Sequence, residues 1–131
     1  MKINIKKISA FCSVTIVTLS MLATAYASSY TTSYQFSVSV TWASRYFDGN
    51  NIRFNSSNAT SSFKPPTNKN YSVSLYRDKF IDDYIGMVTL LRDSNWTANW
   101  SNVGAGNYYF FLSKANDGVT LTDNNVTIKN Y

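Results

Sequence analysis

The fold is decided by the stretch YQFSVSVTW, residues 34–42, in which apolar and polar side chains alternate without a break. Successive side chains of a β-strand point to opposite faces of the sheet, so this pattern predicts one strand over the whole stretch. Its apolar residues are expected to face a core, and its Gln, Ser and Thr residues to face water. Such one-sided burial is typical of an antiparallel sheet.

Shorter segments of the same kind follow, separated by residues that favour turns. Gly and Asn tolerate a positive φ and Asp closes side-chain turns, which places turns at 48–51 and 116–118. The polar stretch 55–70, with Pro65 and Pro66 near its centre, is predicted to be the longest loop. The clearest of the further predicted strands are 52–54, 71–75, 96–100 and 107–113.

Two segments have patterns of their own. The segment 84–91 is apolar on both faces, as expected of a central strand or of one covered on both sides. A tight hairpin is predicted where 119–121 faces 126–128 across the turn residues 123–125. Seven to eight strands, with turns about every ten residues and no helical stripe beyond the first residues, predict a single antiparallel β-sandwich.

Gly106, Asn107 and Tyr108 stand at the entry to the predicted strand 107–113. Here the chain resembles the later strands of immunoglobulin-like domains, in which a Gly-x-Tyr occupies this place. The resemblance implies a tyrosine corner, in which the Tyr hydroxyl bonds back to upstream backbone. The chain is thus similar to small secreted bacterial proteins with an immunoglobulin-like β-sandwich. Fold does not imply function, and the paired Cys of antibody domains is missing.

The first residues have the three parts of a secretory signal peptide. Three lysines among the first seven residues precede an apolar stretch at 8–22, and Ala25 and Ala27 are the small residues that a signal peptidase accepts. Cleavage after Ala27 is predicted, giving a signal peptide 1–27 and a secreted β-sandwich domain 28–131. A transmembrane anchor is the alternative, but it needs about 20 apolar residues, and Ser and Thr interrupt this shorter run.

Removal of the signal changes the charge and the cysteine content. Three of the twelve Lys and Arg residues lie in it and all seven Asp residues follow it, so the net charge falls from +5 to +2. A domain so close to neutral has little attraction for nucleic acid or anionic membranes, and we expect neither as a partner. Cys12 also leaves, so the domain is expected to fold without disulfides.

The residue inventory excludes most catalytic chemistry. The chain has no His and no Glu, and residues 28–131 have no Cys, which excludes thiol nucleophiles, His-based triads and ordinary zinc sites. The remaining candidates for a glycosidase pair or a calcium site are Asp78, Asp82, Asp83 and Asp93. Nothing in the sequence places them in an apolar pocket, and the spacing of a calcium loop is absent. We therefore expect solvated loop positions, with no catalytic residue, metal or cofactor.

Aromatic residues are the unusual feature of the expected domain, which has nine Tyr, seven Phe and three Trp. Those on the apolar faces of alternating strands are predicted to be core: Trp42, Trp96, Trp100, Tyr108 and Phe110, together with Leu112. Tyr109 and Phe111 share the opposite face of the strand 107–113, and Tyr76 opposes the apolar face of its own strand. If that face is open, these three are the predicted binding residues. Alternatively, Tyr109 and Phe111 pack beneath the loop 55–70.

Two functions of different classes remain open. The first is a secreted non-catalytic binding module that presents an aromatic and amide surface to a cell-surface glycan or an extracellular protein. The second is a small secreted effector, such as a toxin, a bacteriocin-like factor or an enzyme inhibitor. A third, structural role requires strand addition at an open edge such as 28–39. No pattern in the sequence indicates an oligomeric state, a ligand or a strand order.

Overall fold

The computed structural model describes residues 29–63 and 69–131. The predicted signal peptide 1–27 and its cleavage after Ala27 lie outside the described residues, as does the pair Pro65 and Pro66. Within the described ranges the chain forms nine strands: β1 (Ser29–Phe36), β2 (Ser39–Thr41), β3 (Arg45–Phe47), β4 (Ile52–Ser61), β5 (Asn70–Arg77), β6 (Asp83–Leu91), β7 (Ser94–Trp100), β8 (Gly106–Ser113) and β9 (Leu121–Asn130). These ranges contain no helix long and apolar enough to cross a membrane.

The strands form two antiparallel sheets that enclose one core. The first sheet has the order β1-β9-β4-β7. The second has the order β2-β8-β5-β6, and the short β3 also pairs with β8. The predicted all-β sandwich is confirmed, with nine strands in the described residues in place of seven to eight.

The core is built around the ring of Phe110 on β8. Its centroid lies 5.6 Å from that of Trp42, 5.7 Å from that of Phe54 and 5.8 Å from that of Trp100. Because Phe54 and Trp100 belong to the first sheet and Phe110 to the second, these contacts hold the two sheets face to face. Aromatic pairs at such separations add stability beyond their buried area. The predicted core positions of Trp100 and Phe110 are confirmed, and Trp42 is partly buried and packs against this core.

The alternating stretch 34–42 is two strands, and the prediction of one strand was wrong. β1 ends at Phe36 and pairs with β9 in the first sheet, whereas β2 begins at Ser39 and pairs with β8 in the second. The chain crosses between the sheets at Ser37 and Val38, and Val38 is exposed there. Alternation continues through the crossing because both strands bury one face in the same core. A period of two therefore does not reveal a change of sheet.

The polar stretch 55–70 is not a loop over its whole length, because β4 continues to Ser61. Ser56 and Ala59 are fully buried in this strand despite their small or polar side chains. The Ser56 hydroxyl donates to the buried carboxylate of Asp123 at 2.6 Å, which satisfies both groups inside the sandwich. The polar second half of β4 thus continues a strand at the centre of the first sheet.

The predicted hairpin at 119–128 is also wrong, since β9 is continuous from Leu121 to Asn130. Its pairing with β4 is interrupted between Ser56↔Val126 and Thr60↔Thr122. At this interruption the side-chain carboxylate of Asp123 accepts a hydrogen bond from the backbone amide of Asn125 at 2.9 Å. The turn-forming residues 123–125 therefore make an irregularity within one strand, because strands lie on both sides of β9 and hold it extended.

The strand β6 lies at the edge of the second sheet, where a central or doubly covered strand was expected. The side chains of Tyr84, Met87 and Leu91 are 59%, 53% and 41% exposed on its outer face. The prediction that Trp96 is a core residue was also wrong, because its strand β7 lies at the edge of the first sheet. Trp96 shares the inward-facing side of its strand with Ala98 and Trp100, yet it is 45% exposed at the sheet margin.

Tyr108 forms the tyrosine corner that the resemblance implies. Its buried hydroxyl donates to the carbonyl of Val103 and lies 2.8 Å from that of Gly104. Gly104 has a φ of 76°, a left-handed conformation that favours glycine. The hydroxyl thus ties the β7–β8 connection to the start of β8.

We expect Tyr108→Phe to lower the free energy of unfolding by about 1–3 kcal/mol, because the buried carbonyls lose their donor while the ring keeps its packing. Urea denaturation of the two proteins measures the difference. Tyr46→Phe is the matched control, since the Tyr46 side chain is 63% exposed. Equal effects of the two substitutions would contradict a role for the corner.

One buried ion cluster closes the opposite end of β8. The carboxylate of Asp117 accepts from Arg92 at 2.7 Å and from Lys114 at 2.9 Å, and both basic side chains are fully shielded from solvent. The hydrogen bond from Lys114, followed by that from Arg92, holds the pKa of Asp117 well below its usual range. The cluster joins the β6–β7 turn to the segment after β8.

A carboxyl group whose pKa is lowered by folding contributes stability above its ordinary pKa of 3.8 and loses it as the pH falls through the lowered value. Asp117→Asn is therefore expected to destabilise the protein at neutral pH and to flatten the acid side of its stability profile. Urea unfolding at a series of pH values tests this, with Asp48→Asn as the surface control. An unchanged acid limb would contradict the role of the cluster.

Candidate functional site

The outer face of the second sheet carries a group of aromatic side chains, here called the aromatic face: Tyr76, Tyr84, Tyr109 and Phe111. Strand register brings them together, because Tyr76 on β5 lies directly opposite Tyr109 on β8 and Tyr84 on β6. The three tyrosines therefore form one row across three neighbouring strands. Phe111 follows Tyr109 at the next outward position of β8.

The tyrosine row is tightly packed. The rings of Tyr76 and Tyr109 are parallel to within 6°, with centroids 5.2 Å apart. The ring of Tyr84 lies 5.4 Å from Tyr76 at an angle of 57°. Each ring thus covers part of its neighbour, which explains why Tyr76 and Tyr109 are only partly exposed although none of the nine described strands lies above them.

The second row of this face runs through Thr41, Phe111, Ser74 and Met87 on four strands. Ser74 is nearly buried between its larger neighbours. An open depression of about 330 Å³ lies where the two rows meet, and its walls are Thr41, Tyr76, Tyr109 and Phe111. All three predicted binding residues line this one depression. Thr41 was missed, because its place beside Phe111 depends on pairing between distant strands.

The third row consists of hydroxyl side chains, since Ser39, Ser113, Ser72 and Thr89 lie opposite one another. These residues belong to the polar positions of their strands, and they are exposed or partly exposed. The outer face therefore changes from aromatic to hydroxyl chemistry within two rows. Apolar walls beside a small number of hydrogen-bonding groups are characteristic of ligand sites.

The Tyr109 hydroxyl donates to the carboxylate of Asp82 at 2.8 Å. This hydrogen bond is the main reason why the pKa of Tyr109 is raised to about 12. Asp82 also accepts the backbone amide of Lys79 at 3.2 Å, and the Lys79 ammonium pairs with Asp83. The β5–β6 turn is thus linked to the aromatic face, with Tyr109 protonated at physiological pH.

Two large apolar side chains stand at the tip of that turn. Phe80 is fully exposed and Ile81 is 77% exposed. The aspartates of this turn were predicted to be solvated loop positions, whereas Phe80 and Ile81 were not identified from the sequence. The sequence did contain a sign of this exposure, because two adjacent apolar residues between charged ones have no apolar partner within the turn.

The first part of the segment 55–70 does not cover Tyr109 and Phe111, contrary to the alternative considered above. Residues 55–61 belong to β4, which lies between β9 and β7 in the first sheet. The aromatic face points away from that sheet. The residues 64–68 lie outside the described part of the chain.

The aspartates considered for catalysis lie in exposed positions with local partners. Asp78 accepts from Ser44, Asp83 pairs with Lys79, and Asp93 accepts the amide and hydroxyl of Ser61 at 2.7 Å and 2.9 Å. Among the described residues, no group of three or more His, Cys, Asp or Glu side chains is arranged to hold a metal ion. These carboxylates order turns.

A second depression of about 400 Å³ lies beside the interrupted β4–β9 pairing. It is lined by Ser, Thr, Asn and the buried Asp123, without an aromatic ring. The Asp123 carboxylate accepts from Ser56, Asn58 and Asn125, so its oxygens are engaged within the strands. The aromatic face is the better candidate, because it combines apolar walls with polar groups that still face solvent.

No protein-family model matches the sequence, and no curated protein matches it. Among solved structures, the chain is similar to the CBM36-1 domain of a multidomain xylanase from the hindgut metagenome of Trinervitermes trinervoides, with 13% sequence identity. The match covers 77% of this chain and 96% of that chain, with a TM-score of 0.47. A similarity of this size carries no argument about function, and the fold is established by the strand pairing of the chain itself.

We expect Asp82→Ala to lower the pKa of Tyr109 from about 12 towards the ordinary tyrosine value, because the carboxylate that holds the phenol proton is gone. NMR titration of protein with labelled tyrosine rings follows Tyr109 individually. Asp48→Ala, which removes an exposed carboxylate elsewhere, is the control. A Tyr109 pKa that stays near 12 in Asp82→Ala would contradict the assigned hydrogen bond.

Proposed function

We propose that this protein is a secreted, non-catalytic binding domain that holds a neutral cell-surface saccharide on its aromatic face. The observation that carries the proposal is the parallel pair of Tyr76 and Tyr109, which together with Phe111 forms three walls of an open depression. The proposal keeps the binding class expected from the sequence and places the ligand beside the predicted residues Tyr76, Tyr109 and Phe111.

The chemistry of the depression fits a sugar ring. A pyranose has a face of C–H groups that packs on aromatic rings, and an edge of hydroxyl groups that needs hydrogen-bond partners. The rings of Tyr109 and Phe111 supply the apolar contact. Thr41 and the neighbouring hydroxyl row supply donors and acceptors at the rim. The ligand's two surfaces thus meet two matching kinds of protein surface.

The size and charge of the site favour a saccharide over a protein partner. A depression of about 330 Å³ accommodates a small ligand unit, whereas a stable protein interface buries about 800 Å² on each partner. Among the residues that wall the depression none is charged, and the nearby Asp82 is occupied by Tyr109. A neutral ligand therefore avoids the cost of removing a charge from water.

We expect Tyr109→Ala and Phe111→Ala to abolish retention on purified bacterial cell walls, because each removes an aromatic wall. Loss of one ring's burial corresponds to about 1.5–3 kcal/mol, or roughly a tenfold to hundredfold weaker Kd. Co-sedimentation with cell walls and a glycan array measure binding. Tyr46→Ala is the matched control, since Tyr46 is an exposed tyrosine of the same sheet outside the depression.

Thermal denaturation of the same variants separates binding from folding. A melting temperature close to that of the parent, with binding lost, supports the proposal. A large fall in the melting temperature would instead show that these rings stabilise the fold. Retention on a protease-treated wall preparation supports a saccharide ligand, whereas loss of retention after protease treatment would assign the face to a protein partner.

A further inference from the structure

The strand β6 combines an edge position with the composition of a central strand. Its residues are apolar on both faces, which is the pattern of a central strand or of a strand whose two faces are both covered. In the described part of the chain its one ladder partner is β5. The outward side chains of Tyr84, Met87 and Leu91 are exposed as a consequence. Sequence pattern and position in the sheet therefore disagree at this strand.

Backbone geometry identifies which groups of β6 point to the open edge. The Arg92 amide donates to the Lys69 carbonyl at 2.7 Å, so the backbone of residue 92 points towards β5. Because these directions alternate along an antiparallel strand, Leu91, Thr89 and Met87 point their amides and carbonyls away from β5. On the other side of Met87, the β5–β6 ladder shifts its register between Gly86 and Tyr84. The open part of the edge is thus 87–91.

The segment 87–91 of this edge lacks the features that natural edges use to prevent pairing, since the register shift of β6 lies before it, between Tyr84 and Gly86. Between Asp83 and Arg92 the strand has no charged residue and no proline. The other edges differ, since β2 and β3 are short and interrupted. The outward residues of β7 are the polar Asn95, Thr97 and Asn99, and β1, although uncharged, also exposes polar residues, among them Ser29, Thr31 and Gln35. β6 is therefore the edge most suited to accept another strand.

We propose that two copies of this chain pair through β6 to form a two-fold symmetric dimer. Antiparallel pairing centred on Thr89 sets Met87 of one copy opposite Leu91 of the other, so the exposed apolar side chains become neighbours. No like charges meet, because the paired segment is uncharged. Self-complementary pairing of one surface is the arrangement of most soluble dimers. The two second sheets become one continuous sheet of both copies.

The symmetry of this pairing determines the direction in which the two outer faces point. Joining two identical strands antiparallel in one sheet requires a two-fold axis perpendicular to the sheet. Both outer faces then point in the same direction, with one aromatic face on each side of the axis. The use of these faces for saccharide rests on the proposed function, whereas the dimer does not.

Sedimentation equilibrium of residues 28–131 over a wide concentration range tests the dimer without any ligand. We expect twice the monomer mass at high concentration. Thr89→Lys places a charge at the centre of the paired edge and is expected to give a monomer at every concentration. Thr31→Lys is the matched control, because Thr31 is an exposed threonine on the edge strand β1 of the other sheet, and it should leave the dimer unchanged.

Cross-linking supplies a measurement that does not depend on the strength of association. Residues 28–131 contain no Cys, so Thr89→Cys introduces a single thiol. Facing residues of an antiparallel pair have Cα atoms about 4.5–5.5 Å apart, which suits a disulfide. We expect Thr89→Cys to form a covalent dimer under mild oxidation and Thr31→Cys to remain monomeric.

Two results would overturn the proposal. One is a monomer at every concentration together with no covalent dimer of Thr89→Cys, which would assign the open edge to a different chain or to the ligand. The other is equal cross-linking of Thr89→Cys and Thr31→Cys, which would show unspecific contact. Circular dichroism of each variant confirms that loss of the dimer is not loss of the fold. Failure of saccharide binding with the dimer intact would contradict the proposed function alone.

Discussion

The sandwich depends on the contacts of one ring, that of Phe110. It touches Phe54 and Trp100 of the opposite sheet and Trp42 at the end of β2, all with centroids less than 6 Å away. The sequence has a single Cys, so no disulfide can form within the chain, and packing between the sheets contributes the stability that disulfides give many other small domains. Because Phe110 faces inward, Tyr109 and Phe111 on the same strand must face outward. The alternation of side chains along β8 thus produces both the core contact on its inner face and the candidate site on its outer face.

Local patterns predicted which residues of a strand share a face, and they failed where the answer depends on another strand. The positions of Phe36, Phe110 and Leu112 follow from alternation alone. The division of 34–42 into two strands, the extended course of β9 and the edge position of β6 do not, because each is decided by partners distant in sequence. Turn-forming residues predicted a hairpin at 123–125, but strands on both sides of β9 kept the chain extended.

The same distinction applies to the site. Tyr76, Tyr109 and Phe111 were predicted from the outward side of their strands, and the structure brings them to one depression. Thr41, Tyr84 and Asp82 could not be assigned to it, since cross-strand register and one hydrogen bond join them to the face. The buried pairing of Arg92 and Lys114 with Asp117 was invisible for the same reason. Charged residues of this kind are normally expected to be solvent-exposed. Here the fold brings the β6–β7 turn next to the segment after β8, so that they form ion pairs.

The hydrogen bond between Tyr109 and Asp82 has a consequence for the thermodynamics of recognition. It orders the phenol ring in the absence of any ligand, and the parallel contact with Tyr76 restrains the same ring from its other side. Side chains that are already immobile lose little rotamer entropy when a ligand arrives, a loss that otherwise amounts to about 0.5–1.5 kcal/mol for each flexible side chain. Tyr76 and Tyr109, two of the four residues that line the depression, are thus held by contacts within the protein itself.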